Sequence, residues 1–420
     1  MGNFGSCLIG SACQCLCSAF QSCGASSKVF SRIGYALFAL VWILFSTFLL
    51  YFAHHITMDW LSEHLECTDE DTKASCIGVS SVYRMSFSLV VFHFILFLLC
   101  SCRNDVIAKI NEGAWPLKFL VVLGFFSLTF IIPNGFFKVY GYIAMGASCL
   151  FLIYEMILVI DMAYSWNAAW VGNFDSSQEA NGNSKCWAIM LIIGTIAATG
   201  SAITVYVVIM IYHKETTAMD LVILIIPLVA AAAYYSLTIT QFAKGGSIFT
   251  CALFFFFQSF ISMSVIFSNS VNSDEKTQLV PIVIGLGFLF FVIFYAGIRT
   301  EKASEESSDA KATSEKVTNL LAENVESTEV LTSDGNNPEP EITTKTMLFH
   351  LFMAFASLYY SMVLSNWGTP KVNSKERDDR FSKNYLAYWV ILVAQWIGIL
   401  FFIWSLIASR ICRSRDFGDS

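Results

Sequence analysis

Apolar residues along this chain gather into long runs separated by short polar stretches. The runs cover roughly 33–53, 79–101, 117–132, 136–166, 187–212, 220–241, 247–268, 279–298, 346–366 and 386–409. Most are long enough for a helix rising about 1.5 Å per residue to cross about 30 Å of hydrocarbon. The predicted fold class is therefore all-α and polytopic, with about ten transmembrane helices. The third run, ending at Pro133, is short. The fourth lacks proline and would extend about 46 Å as a helix. It fits the hydrocarbon by tilting near about 50° or by protruding, and the tilted arrangement is the expected one.

Composition agrees with lipid as the solvent. Of 420 residues, 56% are hydrophobic and 14% charged, whereas soluble domains carry about a quarter charged residues. The net charge of −7 does not describe the whole chain, because 301–341 holds eleven acidic residues against three lysines. The rest is close to neutral, and no basic stripe interleaved with aromatics supports nucleic-acid binding.

These shifts divide the chain. A Cys-rich segment, 1–32, precedes eight spans over 33–298, an acidic loop over 299–345, two spans over 346–409 and a tail over 410–420. The loop cannot bury enough apolar surface to offset its chain entropy and is expected to be disordered. An even number of spans puts both termini on one side. With the N-terminus inside, the cytoplasmic side carries fifteen Lys and Arg against nine outside, so both termini, the loop and the tail are expected in the cytoplasm. Plasma membrane and endomembrane stay equally open. Residues 1–27 lack the continuous apolar stretch of a cleavable leader.

Five of the thirteen cysteines lie in the first 23 residues. Their alternate spacing does not fit a structural zinc site, so no metal is expected. Lipidation is the better candidate, with Gly2 for myristoylation and Cys7, Cys13, Cys15 and Cys17 for palmitoylation. Cys67 and Cys76 share the first polar loop and could form one disulfide if that loop faces an oxidising compartment. Ionisable groups at membrane depth are costly, which makes each a candidate for function. Arg84, Glu155 and Asp161 are such groups, and Ser165 shares a helix face with Asp161. Arg84 is the natural partner of Asp161 or Glu155, either as part of a polar groove for an ion or lipid headgroup or as a structural pair. His93 and His350 read as hydrogen-bonded packing residues, and Gln258 and Gln395 are further polar groups within spans. No Walker-type loop, His-Glu-x-x-His or Gly-x-Ser-x-Gly is present, so neither an enzyme nor a cofactor is expected.

Several stretches occur in the order of a known family. They are Ser31-Arg32-Ile33-Gly34-Tyr35-Ala36-Leu37, Val79-Ser80-Ser81-Val82-Tyr83-Arg84-Met85-Ser86-Phe87, and Asn111-Glu112-Gly113-Ala114-Trp115-Pro116-Leu117-Lys118-Phe119. Leu158-Val159-Ile160-Asp161-Met162-Ala163-Tyr164-Ser165-Trp166-Asn167 closes span four, and Phe349-His350-Leu351-Phe352-Met353-Ala354-Phe355-Ala356-Ser357-Leu358-Tyr359 and Leu364-Ser365-Asn366-Trp367 follow in span nine. The chain resembles the serine incorporator family over nearly its whole length. The resemblance implies ten helices in two bundles joined by a long, steeply tilted helix. It also implies a role in phosphatidylserine and sphingolipid metabolism, with ATP-independent lipid scrambling as the leading activity. The implied partners are membrane lipids, including phosphatidylserine and other phospholipids. A serine carrier, or a scaffold for lipid-synthesis enzymes docked through the acidic loop, is the alternative. Oligomerisation is left open. The chain departs from the family at Glu155, where relatives tend to carry Gln.

Overall fold

The computed structural model describes residues 27–56, 59–65, 67, 73–102, 105–179, 185–212, 218–240, 242–243, 246–269, 282–299, 344–368 and 385–411. The helices are α1 Ser27–Ile56, α2 Asp59–His64, α3 Lys73–Ser101, α4 Asp105–Glu112, α5 Trp115–Leu128 and α6 Asn134–Glu179. They continue with α7 Lys185–Tyr212, α8 Ala218–Ile239 and α9 Ile248–Asn269. The last three are α10 Ile282–Arg299, α11 Thr344–Leu364 and α12 Tyr385–Ile411. Among the described residues nine helices are long and apolar enough to cross a membrane, or ten if the bent pair α4–α5 is one span. The chain is an all-α polytopic membrane protein. Gly2 and the candidate acyl cysteines lie outside the described residues, as does most of the 299–345 loop.

Two predicted spans take a different form. The third is a broken pair, because α4 meets α5 at 86°. Ala114 makes the corner with a left-handed φ of 57°, and Pro116 sits in the first turn of α5, where its missing N–H is tolerated. The fourth grows to the 46-residue α6, about 69 Å long. Its final turns carry Asn173, Asp175 and Glu179, all exposed, and no apolar signal marks them. Tilt can absorb the apolar part of such a helix, while its polar end belongs outside the hydrocarbon.

The chain forms two compact units. Unit 1 comprises Met1–Leu44, Ser88–Ser127 and Ile293–Ala354, and unit 2 comprises Phe45–Phe87, Leu128–Val292 and Phe355–Ser420. Unit 1 is centred on Asn111, at the end of α4. Its carbonyl accepts from Lys118 Nζ at 2.6 Å, Tyr35 Oη at 3.1 Å and Ser31 Oγ at 3.1 Å. Lys118 reaches back to the α4 C-terminus, where a cation is favoured, and lies over the rings of Trp115 and Tyr35 at 4.1 and 4.5 Å. Asn111 Oδ1 meets Tyr35 Oη at 2.9 Å and His350 Nε2 at 2.7 Å. That oxygen only accepts, so His350 carries its proton on Nε2 and its Nδ1 accepts from His93 Nδ1 at 3.2 Å. The histidines therefore hold α3 and α11 to the α4–α5 corner. Gly34 permits the close approach of Trp115, since a Cβ there would collide with the indole.

Unit 2 is organised around α9. The apolar window of α9 is 78% buried, whereas that of α7 is 6% buried, so α9 is core and α7 presents its surface to lipid. Helix α9 packs against α6, α7, α8 and α12. Between α9 and α12, Gln395 Nε2 donates to the Gln258 carbonyl at 3.1 Å and to Ser262 Oγ at 2.8 Å.

Candidate functional site

Arg84 is fully buried on α3, and its partners are backbone carbonyls rather than acids. The 3₁₀ turn Thr129–Ile131 ends α5, leaving carbonyls that need donors. Arg84 Nη1 donates to the Thr129 carbonyl and, at 3.0 Å, to the Ile132 carbonyl. Its Nη2 donates to Asn134 Oδ1 at 2.9 Å, and its Nε reaches Ser80 Oγ at 3.4 Å. The guanidinium also stacks over Phe137 at 4.3 Å. Asn134 opens α6, accepts a second bond from Ser80 Oγ at 2.8 Å and donates through Nδ2 to the Leu65 carbonyl. Two residues beyond Leu65, Cys67 is disulfide-bonded to Cys76, with Cα atoms 5.7 Å apart.

Arg84 thus pairs with neither Glu155 nor Asp161. The end of α5 presents an array of carbonyls at the negative pole of a helix, and a buried cation is satisfied there without an anion. A carbonyl array has no side-chain signature, so sequence reasoning named acids instead.

The other candidates lie on α6, on opposite faces. Leu150, Tyr154 and Ile157 are 61, 45 and 43% exposed, and their spacing forms one stripe. The same spacing continues to Asp161 and Ser165, which are half-buried. An exposed stripe of three large residues thus turns polar within two turns. On the adjoining face Tyr164 Oη meets Ser405 Oγ of α12 at 3.3 Å.

Glu155 faces inward and is 1% exposed. Tyr359 of α11 stands beside it, in hydrogen-bonding and electrostatic contact with the carboxyl. Tyr359 also lines a narrow crevice, together with Leu152, Ser264, Gly285, Asn366 and Trp367. Leu152 lies one turn before Glu155 on α6. The crevice wall is made by the end of α11. Trp367 N–H bonds to the Met362 carbonyl at 2.7 Å and Asn366 N–H to the Val363 carbonyl at 3.1 Å, the pair of bonds that closes a Schellman cap. Asn366, with φ 47°, occupies the left-handed position usually given to glycine, and Trp367 is left-handed as well, with φ 61°. Such a conformation is uncommon for asparagine and an outlier for a residue as bulky as tryptophan. Asn366 Nδ2 is buried and has no hydrogen-bond partner. Asn366 and Trp367 were quoted in the sequence as part of a signature segment, but nothing in it marked their backbone.

A sequence model for a family described as Serine incorporator (Serinc) matches residues 5–415. A probable serine incorporator of Nematostella vectensis is 27% identical, with 96% of this chain and 93% of that one covered. Serine incorporator 2 of Homo sapiens is 26% identical over 98% of this chain and 97% of its own length. A membrane protein of Schizosaccharomyces pombe is 26% identical, with 91% and 89% covered.

Proposed function

The chain belongs to the serine incorporator family, and from that premise we propose that it moves phospholipids passively between the leaflets of its membrane, linked to phosphatidylserine and sphingolipid metabolism. The observation that carries this reading is the lipid-facing stripe of α6, which passes from Leu150, Tyr154 and Ile157 to Asp161 and Ser165. A headgroup dragged through hydrocarbon loses its hydration, and polar side chains on a surface that also touches acyl tails replace part of it. Helix α6 would present that route to the headgroup while the tails stay in the bilayer. Arg84 serves by anchoring the start of α6. The disulfide Cys67–Cys76 supports a reading in which its loop faces an oxidising compartment and both termini face the cytoplasm.

Dithionite quenching of fluorescent phosphatidylserine in proteoliposomes tests this directly. Protein-dependent quenching is expected to pass the outer-leaflet half while a trapped soluble dye stays inside. In Asp161→Ala the rate should fall about tenfold, the equivalent of one lost polar contact in the transition state. Quenching that stops at half, or an undiminished rate in Asp161→Ala, overturns the reading.

A further inference from the structure

Helix α4 takes no part in the lipid route along α6, yet its faces divide in an order that identifies its surroundings. Successive residues turn by about 100°, so Ile107, Ala108 and Asn111 fall on one side. Asn111 is buried there in the hub described above, and Ala108 is buried against Cys100 of α3, with Ile107 and Met347 of α11 packed around them. Lys109 and Glu112, three positions apart, share the next sector, where Lys109 is exposed and Glu112 half-buried. Val106 and Ile110, one turn apart, fill the third sector and are 62 and 42% exposed. Around the helix the order is therefore protein, polar, apolar. A helix inside hydrocarbon would strand the ammonium of Lys109, and one wholly in water would gain nothing from an outward apolar sector.

The direction of α4 fits a boundary between the two solvents. It meets α5 at 86°, so where α5 crosses the membrane α4 runs along its plane, at the level where α5 enters. Leu117 and Leu120, in the first turns of α5, are 58 and 61% exposed. The outward apolar surface of α4 thus continues into that of a membrane span. Trp115 stands half-buried at the corner, and tryptophan favours the level of the headgroups. We propose that α4 lies flat in the membrane surface and that its partner there is the phospholipid layer itself. Val106 and Ile110 sit among the upper acyl chains, Lys109 and Glu112 face headgroups and water, and Asn111 turns to the bundle. The bonds of Asn111 join this surface helix to α1, α5 and α11, and so fix the depth at which unit 1 rests. The placement is independent of lipid movement along α6, and each can fail alone.

Depth-dependent fluorescence quenching in proteoliposomes tests the placement. A fluorescent amino acid is introduced by stop-codon suppression into the full chain at Val106, Lys109 or Ile110, one position at a time. Leu120 of α5 and Asp175, at the polar end of α6, serve as references. All five positions are exposed, so the label displaces no core side chain. The liposomes are phosphatidylcholine brominated either near the headgroup end of its acyl chains or near the chain ends. The apolar face of a surface helix sinks only about 5–10 Å, so shallow bromines should quench Val106 and Ile110 at least about twofold more than Lys109. Deep bromines should quench Leu120 more than either. Quenching of Val106 and Ile110 no stronger than that of Asp175 would put α4 in water and overturn the assignment. Strongest quenching of both by deep bromines would put α4 inside the bilayer as part of a re-entrant segment, and overturns it as well. Equal quenching of Lys109 and Ile110 would remove the division of faces on which it rests.

Discussion

Arg84 and Glu155 are ionisable, buried to within 1% and placed in the same unit, yet their surroundings are opposite. Around Arg84 every guanidinium nitrogen finds a partner, among two carbonyls at the end of α5, the Asn134 side chain and the Ser80 hydroxyl, with a ring face beneath. Around Glu155 the named polar partner is the Tyr359 hydroxyl, and the end of α11 nearby carries two left-handed residues, Asn366 and Trp367. Burial alone would have ranked the two as equally functional. Hydrogen-bond supply separates them. A charge consumed by backbone groups builds the fold, and one left wanting is available to something else.

The sharpest way to break this contrast is Arg84→Leu. It would leave the Thr129 and Ile132 carbonyls and the Asn134 amide oxygen without their charged donor, at about 3–5 kcal/mol. That is a large share of the stability of a domain, so little monodisperse protein should survive size-exclusion chromatography. Recovery at wild-type yield would mean that Arg84 is not the anchor of α6. A smaller loss, about 2 kcal/mol, is expected for Asn134→Ala, which frees only one acceptor for Arg84 and the Leu65 carbonyl. Thermal melting in detergent measures it, and an unchanged midpoint would contradict the latch. For Glu155→Gln the effect on stability should be smallest, within about 1 kcal/mol, because the amide keeps the shape of the side chain and can still meet the Tyr359 hydroxyl. A drop as large as that of Arg84→Leu would erase the distinction between the two residues.

The spans were legible because a membrane helix must be apolar along its length, which leaves a strong mark in one dimension. Helix α6 shows where that mark ends. Its apolar part announces itself, but the turns from Asn173 to Glu179 are mostly polar and helical, and polar helix has no comparable signature. The α4–α5 corner was visible only as a short third run, since a left-handed Ala114 leaves no compositional trace. Arg84, Glu155, Asp161 and Ser165 stood out as costly groups, and that argument carries no information about their partners. Arg84 is joined to residues 45 and 48 positions away through backbone carbonyls, which every residue possesses. His93 and His350, read as packing residues, are bonded to each other across 257 positions, a distance at which local pattern carries nothing. Asn366 became a candidate only through its backbone and its unpartnered amide.

Trp367 keeps a large side chain where a backbone of that handedness rests at ease only with glycine. Exchange to glycine would relax the chain and remove one wall of the crevice in a single step. Robustness of the backbone and the ring contact with Tyr359 therefore pull this position in opposite directions under selection. A lineage in which that contact no longer mattered would be expected to drift toward glycine here, and one that depends on it would go on carrying the strain.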